Sequence, residues 1–296
     1  MSNFTSNEPA VRTIRSNYEP TAETSSSSSK LGHLFEFMDL NWLPNSLAYT
    51  MREILECGNA RPFRPFYDFS IATIRRVANE SGCEHVVEMG AGAAPLTRRL
   101  APLVENEPDQ SIKTISPCDI RPDTKSYLEL EAKHPGVVDL LRDEDKEIAS
   151  VDFSVPQDWK PNSLLVLSGT LHHLPNLERT KTLTAMSSAD SVLVIEPLRK
   201  TALSMLFVIL SLVPALLLPI WYCRRAGRAR RFLWCWLIPV APAMFLWDGW
   251  VSCIRQWTDK EFKEYLSQIP GIEYEVNHGV FSQVTTIRKT SNQAEH

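Results

Sequence analysis

Paired cysteines are missing from this 296-residue chain. Its six cysteines (Cys57, Cys83, Cys118, Cys223, Cys235 and Cys253) are scattered, with no C-x-x-C pair. That excludes a zinc ribbon and a disulfide framework, and it fits reduced intracellular thiols. Aromatic residues are few, at 9%, and a formal net charge of -4 gives no ground for a nucleic-acid partner. The first 30 residues lack an apolar h-region, so no secretory signal is expected. What remains is 44% hydrophobic and 22% charged, which excludes collagen-like chains and disorder throughout. The length suits one large α/β domain or two small ones.

A local absence is more telling. Between Thr201 and Trp247 there is no Asp or Glu, while five arginines crowd between Arg224 and Arg231. Without those five the chain carries -9, an ordinary acidic soluble protein. One segment is chemically foreign to the rest.

Residues 1–30 are polar and end in a serine run, Ser25 to Ser29, and are expected to be a disordered tail. Residues 31–80 read as a helical cap. Phe35, Phe37, Met38, Leu40 and Trp42 form one apolar cluster there, followed by helices over Asn45 to Cys57 and Tyr67 to Val77. From Glu84 onward, short apolar runs alternate with helical stretches. Strands are expected at His85–Glu88, Lys113–Cys118, Leu164–Ser168 and Val192–Glu196, with a fifth near Val137–Leu141. Helices fall between them, notably over Pro95 to Val104 and Leu177 to Ser187. Such alternation implies a parallel sheet covered on both faces. A helix over Thr258 to Ile269 and runs at Ile272–Asn277 and Phe281–Arg288, around a His278-Gly279 turn, imply an antiparallel hairpin at the end.

The strongest local signal is Glu88-Met89-Gly90-Ala91-Gly92-Ala93-Ala94-Pro95, in which a buried strand ends in an acid and two glycines permit a tight turn. Pro95 suits the first turn of a helix but stands where a dinucleotide fingerprint wants its third Gly. The Gly-Lys-Ser/Thr of a triphosphate loop is absent too. Asp119 closes the next strand, where a carboxylate can accept both ribose hydroxyls. Asp152-Phe153 offers an acceptor for an exocyclic amine beside an aromatic ring, and Ser168-Gly169-Thr170 ends the next strand at the same sheet edge. Each residue alone is a common turn glycine, capping Asp or core Phe. In this order they converge on the crevice where open α/β sheets bind ligands.

Those pieces, with Leu167-Ser-Gly-Thr-Leu-His-His-Leu174 and Val194-Ile-Glu-Pro197, resemble the class I S-adenosylmethionine-dependent methyltransferases. The resemblance covers roughly residues 66–200 and resumes at Asp248. It implies a Rossmann-like α/β sheet with a C-terminal antiparallel hairpin, here joined to an N-terminal helical cap and a hydrophobic helical insert. It also implies S-adenosylmethionine as cofactor. Glu88, Gly90 and Gly92 would hold the methionyl part, Asp119 the ribose, and Ile120, Asp152, Phe153 and Ser168 the remaining surroundings. His172 and His173 are the candidate catalytic bases, set against a packed or capping role. No metal is expected, because no second ligand cluster has suitable spacing.

The foreign segment, residues 201–247, opens with 22 uncharged residues from Ala202 to Cys223, long enough to cross a bilayer. Six of the eight tryptophans lie between Trp221 and Trp257, as an interfacial belt would have them. A spanning hairpin would carry five arginines across, and Pro214, Pro219, Pro239 and Pro242 interrupt the helices. A shallow hairpin in the cytosolic leaflet, arginines on anionic headgroups, meets both objections. Asp248 and Arg255, seven apart, share a helical face as an ion pair or as lining of the acceptor site, and structure is the favoured role.

The organisation expected is therefore tail 1–30, cap 31–80, cofactor-binding core 81–200, membrane hairpin 201–247, completion of the core by 248–290, and tail 291–296. The function expected is methyl transfer to O or N of a small lipophilic acceptor by a membrane-associated enzyme with a cytoplasmic catalytic domain. The rivals are a dinucleotide-dependent oxidoreductase and a non-catalytic membrane scaffold.

Overall fold

The computed structural model describes residues 34–40, 42–57, 64–107, 111–221, 227–279 and 281–290. Both expected tails, residues 1–30 and 291–296, lie outside them. Four strands, β1 (His85–Met89), β2 (Thr114–Cys118), β3 (Ser163–Ser168) and β4 (Ser191–Glu196), pair in parallel. Two more, β5 (Ile272–His278) and β6 (Gln283–Lys289), form an antiparallel hairpin that joins β4 through β6. The order across the sheet is β2-β1-β3-β4-β6-β5. The expected strands recur within two residues at each end.

The strands are apolar on consecutive residues because both faces are covered. Val86 packs into one layer with Ile74, Leu100, Ile115, Tyr127 and Leu164. That layer is contributed by α2 (Arg64–Ser81), α3 (Pro95–Asn106) and α4 (Thr124–Lys133). Its neighbour Val87 packs into the other layer with Leu165, Leu183, Val192, Trp257 and Phe262, from α5 (Asn176–Met186) and the helix after the insert. The switch of face between adjacent residues is the period-2 geometry of a strand.

A fifth strand near Val137–Leu141 does not form. Val138 makes a single parallel bridge to Ile115, and Asp139 N–H donates to Ile115 O at 3.0 Å. The segment sits at the outer edge of β2 but turns away, as Pro135-Gly136 before it and the acidic stretch after it favour.

Within the insert, α6 (Ala202–Trp221), α7 (Arg228–Phe232), a π-helical turn (Leu233–Leu237) and α8 (Val240–Arg255) pack against α1 (Asn45–Cys57). Leu47, Met51, Ile54, Ala215, Cys235, Ala241 and Met244 form a separate apolar cluster there. Gly249 lets α6 and α8 approach closely: a Cβ on it would lie 2.6 Å from Val208 Cγ1. The other face of α6 is bare, with Leu203, Leu206, Leu210, Val213 and Leu217 each about half exposed in one stripe.

Among the described residues no single helix is long and apolar enough to cross a membrane. The pair Arg228–Leu237 and Val240–Arg255 passes together by length and composition, but bends by 70°. Two of the five arginines are already engaged, because Arg230 and Arg231 both bind the Glu53 carboxylate of α1, at 2.8 and 2.6 Å. The N-terminal apolar run also differs from expectation. Phe37–Asp39 is a single 3-10 turn, and Trp42 is 71% exposed. α9 (Asp259–Leu266) starts on a capping box between Thr258 and Glu261 and leads into the hairpin.

Candidate active site

The C-terminal ends of β1, β2, β3 and β4 lie at one edge of the sheet, where the candidate residues gather. Glu88, at the end of β1, is fully buried and turned onto the first turn of α3. Its carboxylate accepts the N–H groups of Leu96 and Thr97 at 3.2 and 2.8 Å and the Thr97 hydroxyl at 2.6 Å. An acid suits a helix N-terminus. Burial nevertheless outweighs these bonds and pushes the Glu88 carboxyl up to about 7.

The two glycines of the loop differ in what surrounds them. Gly90 (φ 65°) is pressed against Thr170, whose side chain would lie 2.6–2.7 Å from an added Cβ. Gly92 (φ 52°) has open space, with nothing within 4 Å of a Cβ. Its N–H donates to Asp119 Oδ2 at 2.9 Å, while Arg121 N–H donates to Asp119 Oδ1 at 2.8 Å. Asp119 is thus fixed beside the exposed face of the loop. Ala94 (φ 55°), the residue before Pro95, also holds the left-handed region, so this turn stores backbone strain.

Ile120 is 54% exposed next to Asp119. Although no strand precedes it, the Asp152-Phe153 segment reaches the same edge. Val151 N–H donates to Asp119 O at 3.1 Å, and Ser150 Oγ donates to Ile120 O at 2.7 Å. Asp152 is exposed and accepts from Ser154 at 2.9 Å, while Phe153 packs half-buried beneath it. Ser168 ends β3. Thr170 Oγ1 then reaches Ser168 O at 3.1 Å and Gly90 O at 3.4 Å, joining the glycine turn to the histidines.

His172 and His173 occupy a 3-10 turn, Leu171–His173, with ring centroids 4.3 Å apart. His172 is buried, and its Nδ1 lies 2.7 Å from Glu196 Oε2 at the end of β4. Gln256 Nε2 donates to that same oxygen at 2.6 Å. Burial alone would raise Glu196, but His172 and Gln256 hold it below the usual carboxylate range. His173, 31% exposed, places Nδ1 3.1 Å from Asp39 Oδ1 and 3.2 Å from Glu36 Oε2. Both carboxylates stand within ion-pair distance of that nitrogen. Burial would lower His173, yet the Asp39, Glu36 and Glu196 carboxylates lift it above its ordinary value.

The backbone of the turn is pinned by two arginines. Arg179 Nη2 donates to His172 O at 2.8 Å, and Arg255 Nη2 to His173 O at 2.5 Å. Arg255 also faces Glu36 and Asp39 at 3.7 and 3.6 Å. Asp248 accepts the N–H groups of Phe37 and Met38 at 2.7 and 3.2 Å. Among the described residues Asp248 and Arg255 do not form the expected ion pair with each other; each instead contacts the Phe37–Asp39 turn over the histidines. Glu36, Asp39 and Arg179 were not singled out from the sequence. Gln256 adjoins Arg255, Glu36 and Asp39 fall within the Phe35–Trp42 apolar run, and Thr170 entered only as the end of the Ser168-Gly169-Thr170 run.

No protein-family model matches the chain, and no curated protein matches it in sequence. Solved structures do. The plantazolicin methyltransferase BpumL, crystallised with a triazolic desmethylPZN analog and SAH, aligns with a TM-score of 0.51 at 9% identity, over 83% of this chain and 96% of its own. The CMeT domain of citrinin polyketide synthase gives 0.48 at 13% identity, over 81% and 56%. The small RNA methyltransferase HEN1 gives 0.47 at 13% identity over 77% of this chain, which spans about a quarter (26%) of HEN1. The sheet order and the likeness to BpumL define the fold as that of the class I methyltransferases.

Proposed function

We propose that the chain is an S-adenosylmethionine-dependent methyltransferase acting at a membrane surface on a small lipophilic acceptor. The observation that carries the cofactor is the Gly92–Asp119 pair, an open cradle over a glycine beside a carboxylate fixed by two backbone N–H groups. In this reading Asp119 takes the ribose hydroxyls, Ile120 and Phe153 flank the base, and Asp152 meets its exocyclic amine. Gly90, Gly92 and Ser168 bound the methionyl side. Glu88 acts through α3, whose first turn it holds in place. When bound, the cofactor supplies a methyl group on a good leaving group. The chain's own task is to align the acceptor and take up its proton.

The His172–His173 turn suits that task, since Thr170 ties it to the glycine turn and Glu196 fixes the imidazole of His172. Against a dinucleotide oxidoreductase stand Pro95 at the first turn of α3 and the antiparallel β6 beside β4.

The bare stripe on α6, with Phe232, Trp236, Leu237 and Ile238 also exposed, supports a hairpin lying in a leaflet on the cytosolic side. Such a surface would deliver a lipophilic acceptor to the site.

Calorimetry with S-adenosylhomocysteine and NAD on the purified chain tests the reading. S-adenosylhomocysteine should bind, and Asp119→Ala should weaken it by roughly 1.5–3 kcal/mol, the scale of hydrogen bonds to a charged group. Tight NAD binding with none of S-adenosylhomocysteine would sink it.

A further inference from the structure

We infer that Glu36, His172 and His173 form a binding site for a first-row divalent transition metal, contrary to what the spacing of ligands in the sequence suggests. Each residue offers one donor atom within 4.8 Å of the other two. His172 Nε2 lies 4.0 Å from Glu36 Oε1, and His173 Nδ1 lies 3.2 Å from Glu36 Oε2. An ion bound at about 2.0–2.2 Å spaces its adjacent ligands about 3–3.5 Å apart, so small side-chain movements close the set.

Two independent observations point to a ligand. Glu36 is 2% exposed, yet its Oε1, 3.7 Å from Arg255 Nη1 and 4.0 Å from His172 Nε2, makes no hydrogen bond among the described residues. Buried polar atoms are rarely left so. Furthermore, the remote nitrogen of His172 is held by Glu196, itself fixed by Gln256. That carboxylate–imidazole support is how metal-bound histidines are oriented.

The surroundings tolerate a dication. Arg255, 3.7 Å from Glu36, faces two carboxylates, Glu36 and Asp39, with Glu196 behind His172. Asp39, 42% exposed, stands 3.1 Å from His173 Nδ1 on the solvent side, offering a fourth oxygen and a way in. Two imidazoles with a carboxylate suit zinc, cobalt, iron or manganese better than magnesium or calcium. Three protein donors leave positions open for an acceptor hydroxyl or amine, whose proton the ion would loosen. That use rests on the methyl-transfer reading, whereas the site itself does not.

The test uses the full chain, stripped by a chelator and titrated with Zn²⁺, Co²⁺ and Mg²⁺ by calorimetry, with visible spectra for Co²⁺. One equivalent of Zn²⁺ or Co²⁺ should bind, Co²⁺ with d–d absorption bands, and Mg²⁺ at least about tenfold more weakly. Glu36→Gln and His173→Asn should each lower Zn²⁺ affinity about 100-fold or more while thermal melting shows a folded chain. Should the buried Glu36→Gln unfold the cap, His173→Asn, at a partly exposed position, decides alone. Absence of a stoichiometric ion, or unchanged affinity in the folded variants, overturns the site and leaves an ion-pair network. Titration with S-adenosylhomocysteine runs in parallel: metal binding without it supports the site and removes the methyl-transfer reading.

Discussion

The Asp248 carboxylate, midway along α8, accepts the N–H of Phe37 at 2.7 Å, tying the insert to a segment 211 positions earlier. Met38 N–H donates to its second oxygen at 3.2 Å. Burial lifts the Asp248 carboxyl to about 6, so the clamp is made at some cost. Everything that hangs from this turn, including Glu36 and Asp39 over the histidines, depends on it.

Asp248→Asn keeps one acceptor and Asp248→Ala keeps none. The two should lose about 1 and about 2–3 kcal/mol of stability respectively, from denaturant unfolding. Hydrogen exchange at the amides of Phe37 and Met38 should accelerate first. Equal protection in wild type and Asp248→Ala would show that other contacts hold the turn.

The two loop glycines should separate by mutation. Gly92→Ala puts its methyl into the open cradle. It should weaken S-adenosylhomocysteine binding in calorimetry, with about 1–2 kcal/mol lost to the left-handed backbone. Gly90→Ala meets Thr170 at 2.6 Å and should cost more stability than Gly92→Ala. The reverse order in melting would contradict the packing described.

Glu88 gives the pH dependence a sign. Burial raises its folded-state value from 4.5 to about 7, so between those values the folded chain holds a proton that the unfolded chain has lost. The stability this proton contributes is fully present below about 4.5 and is lost as pH rises through about 7. Glu88→Gln stays neutral. Its stability relative to wild type should therefore rise, by on the order of 3 kcal/mol, across that window in denaturation series. Parallel curves would show that Glu88 is ionised in the fold.

Gly249→Ala would normally favour a helix by about 1 kcal/mol, but here the new methyl lies 2.6 Å from Val208. A net loss of about 1–3 kcal/mol is expected, largely recovered in the Gly249→Ala, Val208→Ala double variant. Additive effects in the double-mutant cycle would separate α6 from α8.

For the insert, Leu206→Ser, Leu210→Ser and Val213→Ser combined should release the chain from vesicles in flotation while leaving melting nearly unchanged, because these side chains face outward. Replacing Arg230 and Arg231 is a different experiment, since both are bound to Glu53 and their loss also frees α1. A chain that never floats with anionic or zwitterionic vesicles removes the membrane from the proposal.

The sequence alone determined the sheet, because parallel strands buried on both faces are written as short uninterrupted apolar runs. It also determined the glycine turn, since Gly90 and Gly92 tolerate the positive φ the turn needs and Pro95 sets φ for the first turn of the helix. Asp119 followed, as the acid at the end of the next strand. Edge behaviour was not legible: near Val137–Leu141 the apolar run is present, but pairing reduces to the bridge between Val138 and Ile115. The different surroundings of Gly90 and Gly92 depend on Thr170, which arrives from another strand. Least visible of all was the company of the histidines. Glu36 and Asp39 come from the N-terminal turn, Glu196 from β4, and Gln256 and Arg255 from the end of the insert. Local periodicity governs which element forms, but contacts between distant carboxylates and imidazoles exist only once the packing of α1, α6 and α8 has carried that turn across the sheet edge.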